Sequence, residues 1–129
     1  MELYEFNTEL VTKLFVDKVA EVTEIGSKGA LLSNPNKEAK FPACVIQPPL
    51  QQTKYDGAMV NLSLTVEVWG QDQYTVIRLL DKVKIKLKEL NLKLTNNTAL
   101  FQDPVTTKWR YGGYFETRWN AITNSLEKN

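Results

Sequence analysis

Val60-Asn61-Leu62-Ser63-Leu64-Thr65-Val66-Glu67-Val68 is the stretch on which the fold turns. Apolar side chains occupy every even position and polar ones every odd position. Successive side chains of a strand point to opposite faces, so this period predicts a strand with one dry face and one wet face. Trp69 continues the wet side, and Gly70 ends the pattern. A one-sided strand needs a cover, and the chain supplies it at once. Asp72 is placed to cap a helix. At helical spacing, Val76, Leu79, Leu80, Val83, Leu87 and Leu90 fall within an arc of about 100°, a stripe suited to lying on a sheet. Ile85 projects about 180° from the centre of that stripe.

Working outward, Leu10, Val11, Leu14, Phe15, Val19 and Val22 recur at helical spacing, with Asn7 as a cap and Glu9 in the first turn. They predict a helix over 7–23 whose broad apolar face lies on something large, while Val16 falls outside that face. A short strand near Gly29–Leu32 and a loop around Ser33–Lys37 follow. Phe41–Gln47 is an apolar β-type run stopped by Pro48-Pro49, and Gln51–Gly57 reads as a polar turn. Beyond the second helix, Leu92–Phe101 mixes polar and apolar residues, and Asp103-Pro104 marks a turn. Val105–Ile122 is again β-type. Gly112-Gly113 inside it is either a two-residue hairpin turn or a bulge in one long bent strand. The polar end Asn124–Asn129 is expected to fray. The order α-β-β-β-α-β-β predicts one α+β domain over residues 1–129, with a mainly antiparallel sheet and both helices packed on one face.

The chain has 129 residues, no histidine and one cysteine, Cys44. These shortages remove the commonest general base, the commonest metal ligand and most thiol chemistry. No P-loop or G-x-S-x-G pattern is present, and the carboxylates Asp17, Glu21, Glu24, Glu67, Asp72, Asp81, Glu89, Asp103 and Glu116 are scattered. The expectation is a non-enzyme with no catalytic residues, no cofactor and no metal. Cys44, within Phe41-Pro42-Ala43-Cys44-Val45-Ile46, reads as a small core residue. Net charge is +1, without the basic excess typical of nucleic-acid binders. Lys82, Lys84, Lys86 and Lys88 split between two helix flanks and read as solvated surface. Trp109, Arg110, Tyr111, Tyr114, Phe115, Arg118 and Trp119 interleave rings with arginines. Such a series could stack single-stranded nucleic acid, but sheet core on one face and cross-strand pairs on the other explain it more simply. The acidic start lacks the features of a signal peptide, and no run approaches the roughly 18 apolar residues of a membrane span. The expectation is a protein that is made and kept in a cytoplasm, with no membrane partner.

Trp69, Ile85 and Val16 look surplus to a monomer. Together with the aromatic end, notably Trp109 and Tyr111, they are candidate interface residues for a neighbouring subunit.

The stretch from Phe41-Pro42-Ala43-Cys44-Val45-Ile46 through Val60–Trp69 and the second helix, on to Trp109-Arg110-Tyr111-Gly112-Gly113-Tyr114-Phe115-Glu116 and Trp119-Asn120-Ala121-Ile122-Thr123-Asn124, resembles a known family. That family is the small tail-terminator and tail-completion (head–tail joining) proteins of long-tailed bacteriophages and prophages. Its members similarly show an F-P strand, a long amphipathic strand ending in Val-x-Val-Trp, a helix, and a closing β-segment with a Tyr-rich Gly-Gly step. The resemblance implies an α+β fold and a structural role: capping the tail tube, stopping its growth and offering a docking face to the filled head. It implies a homo-oligomer, commonly a hexameric ring, with the tail tube protein and a head-completion or connector protein as partners. Genomic DNA only passes through the ring. The implied location is the tail–head junction of the virion, after assembly in the host cytoplasm. Alternatives are another head–tail connector, a minor capsid protein, or a non-phage interaction or nucleic-acid-binding module.

Overall fold

In a computed structural model the described residues are 8–36, 38–52, 59–120 and 125–126. Along the chain run α1 (Thr8–Ala20), α2 (Gly26–Gly29), β1 (Ala30–Leu31), β2 (Ala43–Ile46), β3 (Leu50–Gln52), β4 (Met59–Gly70), α3 (Gln73–Lys88), β5 (Lys93–Asn97), β6 (Phe101–Gln102), β7 (Trp109–Asn120) and β8 (Ser125–Leu126). The alternating stretch forms β4, extended at both ends beyond the residues that reveal it. Its partner is β7. The two pair antiparallel from Met59↔Asn120 to Gly70↔Trp109 without a register break.

This pair is the spine to which the shorter strands attach. The main path is β1-β2-β4-β7-β5, with β3 on β4 and with β6 and β8 on β7. Among the described residues all pairings are antiparallel except β1 with β2. Pro48-Pro49 separates β2 from β3, which share β4 as a partner. A proline has no N–H to give to a ladder, so the break falls where the sequence places it. Of the turn expected over Gln51–Gly57, Gln51 and Gln52 are strand instead, paired with Leu62 and Asn61. Residues 53–58 lie outside the described set, as do the Asn7 cap and most of the expected frayed end.

The α+β class and the one-sided helices are as expected. Leu62, Leu64, Val66 and Val68 of β4 face Val76, Leu79, Leu80, Val83 and Leu87 of α3 and Val11, Phe15 and Val19 of α1 in one buried core. Phe115 and Trp119 of β7 complete it. Asp72 caps α3, its Oδ1 accepting from the Thr75 N–H at 2.9 Å. A third helix, the four-residue α2, was not expected; its turn places Ile25 in the core. Across the helix layer, Arg78 and Lys82 of α3 pair with Glu24 at 2.9 and 2.6 Å, and Lys86 with Glu21 at 3.4 Å. The lysines of α3 are therefore solvated surface, as read from the sequence, and such exposed pairs contribute little each.

Gly112-Gly113 is neither a turn nor a bulge in the β4–β7 pairing. β7 runs straight through it, with Gly112 opposite Glu67 and Gly113 opposite Val66. The reading of one long strand holds. The irregularity lies instead across β7 on β5, where the register shifts between Leu94 and Asn96. The glycines are there because neighbours crowd them. A Cβ on Gly112 would sit 2.2 Å from the Val66 carbonyl oxygen, and one on Gly113 2.2 Å from Leu94 Cδ1.

Candidate functional site

The sequence-selected residues part company in space. Trp69 does lie on the odd-numbered face of β4, but it is not wet: only 2% of it is exposed. The sheet continues past β4, and β2 brings Ala43 directly opposite Trp69. Ala43, Val45, Leu31 and Phe41 then close a second small apolar cluster around the indole. A strand read in isolation cannot show that its neighbour carries apolar residues on both faces, as β2 does. Trp109 and Tyr111 are half-buried against the main core, and Val16 likewise packs on it from α1. Ile85 is 66% exposed on the outer side of α3. Of the five candidates, Ile85 presents the most open apolar surface.

Two arrangements stand out among the described residues. The first is on the outer face of the sheet, around Arg110. Its guanidinium carbon lies 4.2 Å from the Trp69 ring centroid and 4.7 Å from that of Phe101. Nε and Nη2 donate to Glu67 Oε1 at 3.0 and 2.8 Å, and Nη1 donates to Asp103 Oδ1 at 3.2 Å. The other Asp103 oxygen accepts from the Thr106 N–H at 2.9 Å and its hydroxyl at 3.0 Å. These bonds, that from the Thr106 backbone foremost, together with Arg110, hold the Asp103 carboxyl below the usual aspartate range. Every charge in this cluster has a partner, and Asp103 ties the turn before β7 back to that strand. The arrangement locks the second apolar cluster against the sheet.

In the sequence Glu67 and Asp103 stand only among scattered carboxylates. Their convergence depends on the β4–β7 register, in which Trp69 faces Arg110 and Glu67 faces Gly112. Cys44 is fully buried, and burial pushes its thiol far above the ordinary cysteine range. Among the described residues, no three His, Cys, Asp or Glu side chains are grouped to hold a metal ion. No described helix is long and apolar enough to cross a membrane.

The second arrangement is an open groove of about 580 Å³ between α3 and β5. Ile85 and the half-buried Leu94 give it exposed apolar surface over a floor of the core residues Leu92 and Phe115, and Lys84, Lys88, Lys93 and Asp81 supply its charge. It exists because α3 covers β4 and β7 while β5 lies at the end of the main strand path. β5 protects its own free edge with polar side chains, Lys93 and the irregularity at Thr95. The groove is therefore open to side chains more than to an added strand. No protein-family model and no curated protein sequence matches this chain.

Proposed function

We propose that this chain is a non-enzymatic virion assembly subunit that caps the tail tube of a long-tailed phage or prophage and joins the tail to the head. The reading rests on the resemblance carried by Phe41–Ile46, Val60–Trp69, the second helix, Trp109–Glu116 and Trp119–Asn124. The surface observation that favours it is Ile85, a large aliphatic side chain held outward by α3 beside the basic, apolar-lined groove. Single exposed aliphatics are ordinary on a monomer; here Ile85 joins the apolar groove, and apolar area rimmed by charge is what a subunit interface uses. In this reading the copies form a closed ring, with the tail tube protein on one side and a head-completion or connector protein on the other. The work is binding and geometry, with no bond made or broken.

The test is genetic. The gene is deleted from the phage or prophage genome that carries it and is supplied in trans as wild type or as Ile85→Glu. The substitution faces solvent in the monomer, so circular dichroism and melting should match wild type. Electron microscopy of lysates should show filled heads with overlong or unattached tails in the deletion and in the folded Ile85→Glu strain. Normal virions from the deletion strain would refute the function. Normal virions from Ile85→Glu alone would remove that residue from the interface.

A further inference from the structure

We infer that the groove between α3 and β5 receives a second copy of this chain through the exposed stripe of α1, so that Leu10 and Leu14 of one copy seat against Ile85 and Leu94 of the next. The inference rests on the assembly reading above and names the contact that reading leaves open.

Two observations select the occupant. The first is shape and position. Leu10 and Leu14 are 41% and 37% exposed, and lie one helical turn apart on α1. Val11, Phe15 and Val19 of the same helix face the core, so Leu10 and Leu14 form a separate flank. Among the described residues, they are the exposed large apolar pair at i, i+4 on a helix that does not itself line the groove. An amphipathic helix laid into an apolar groove by residues at this spacing is a recurrent mode of docking.

The second observation is charge. The charges on α1 and the turn after it include Glu9, Asp17 and Glu21 against Lys13 and the less exposed Lys18, which leaves that side negative. The groove carries the inverse, Lys84, Lys88 and Lys93 against Asp81. Asp17 and Glu21 now pair with Lys13 and with Lys18 and Lys86 on the surface. Exposed pairs of this kind exchange partners at small free-energy cost, so they do not block the contact. Free acidic peptides or a different protein could in principle use the same groove. This chain carries the complementary surface itself, and each copy would offer both halves. Because the two halves differ, each contact leaves one of each open, and copies add until the rotation closes.

The experiment is a mixing test on the full chain by sedimentation velocity and native mass spectrometry across a concentration series. Leu14→Glu removes the stripe and keeps the groove; Ile85→Glu removes the groove surface and keeps the stripe. Each alone should lose every species above monomer, and the equimolar mixture should recover a dimer and stop there. The charge pair Asp17→Lys and Lys88→Glu, weakened singly and restored when mixed, supplies a second set that leaves the apolar residues in place. Wild-type rings that persist in both apolar variants overturn the contact and leave the ring reading standing. Wild-type assembly that ends at a dimer, yet is lost in both variants, keeps the contact and removes the ring. A wild-type chain that is monomeric throughout, or assembly blocked only by an added acidic peptide and not by the substitutions, overturns the inference.

Discussion

Gly112→Ala and Gly113→Ala place the same methyl group at adjacent positions of β7 and should have very different consequences. At Gly112 the new Cβ would lie 2.2 Å from the Val66 carbonyl oxygen and 2.7 Å from Glu67 Cα, both backbone atoms of β4. Relief requires the two central strands to part by on the order of 1 Å, since non-bonded carbon contacts settle near 3.5–4.0 Å. Overpacking of this kind costs about 1–3 kcal/mol, and loss of one or two flanking ladder bonds adds about 1 kcal/mol each. We expect about 2–5 kcal/mol in all. At Gly113 the nearest atom is Leu94 Cδ1, also at 2.2 Å, but it is the end of a half-buried side chain. An off-rotamer shift of Leu94 costs about 0.5–1.5 kcal/mol, against about 0.4–1 kcal/mol gained by stiffening the unfolded chain. The net effect should be near zero to ~1 kcal/mol. Equilibrium urea unfolding followed by circular dichroism measures both. With a slope of about 1.5 kcal/mol per molar, the midpoints should differ by about 2 M. Coincident midpoints, or a lower midpoint for Gly113→Ala, would show that the β4–β7 contact is looser than its register implies.

The facing of β4 is tested by Leu64→Asp against Thr65→Asp. Leu64 is buried opposite Phe115, so the first loses about 2–3 kcal/mol of apolar burial and carries a carboxylate into the core, enough in sum to unfold a domain of ordinary stability. Thr65, half-exposed opposite Tyr114, should cost about 1 kcal/mol from strand preference alone; equal losses in the same melts would reverse the assigned faces. The Asp103 carboxyl, held below its ordinary range, contributes stability that is present above the unfolded value near 3.9 and lost as pH falls through the lower folded value. Asp103→Asn should therefore flatten the acid limb of a stability-versus-pH series relative to wild type, while a parallel limb would show that this carboxylate is not linked to folding.

What the sequence exposes follows from where periodicity is local. β4 and α3 are each covered on one side, so their burial writes a period of two and then of 3.6 directly into the chain. The Asp72 cap, the proline stop after β2 and the buried Cys44 are legible for the same reason: each depends on neighbours in sequence. β3, β5, β6 and the four-residue α2 are not legible, being short segments set by pairing partners far along the chain.

The limits of such reading show most clearly at Trp69 and at the two glycines. Trp69 obeys the alternation and still is buried, because β2 carries Ala43 and Val45 to its side of the sheet and Arg110 stacks over its ring. Gly112-Gly113 carries the strongest turn signal in β7 and makes no turn, because its lack of side chains serves close approach to Val66 and Leu94. The Arg110–Glu67–Asp103 cluster and the groove beside Ile85 join residues from three or more separate segments. By itself the sequence determined the α+β class, the central strand, its covering helix and the faces of both, since those depend on side-chain periodicity within one segment. Tertiary structure alone decided which outward residues are open and which are covered, because that depends on the strand that happens to lie next door.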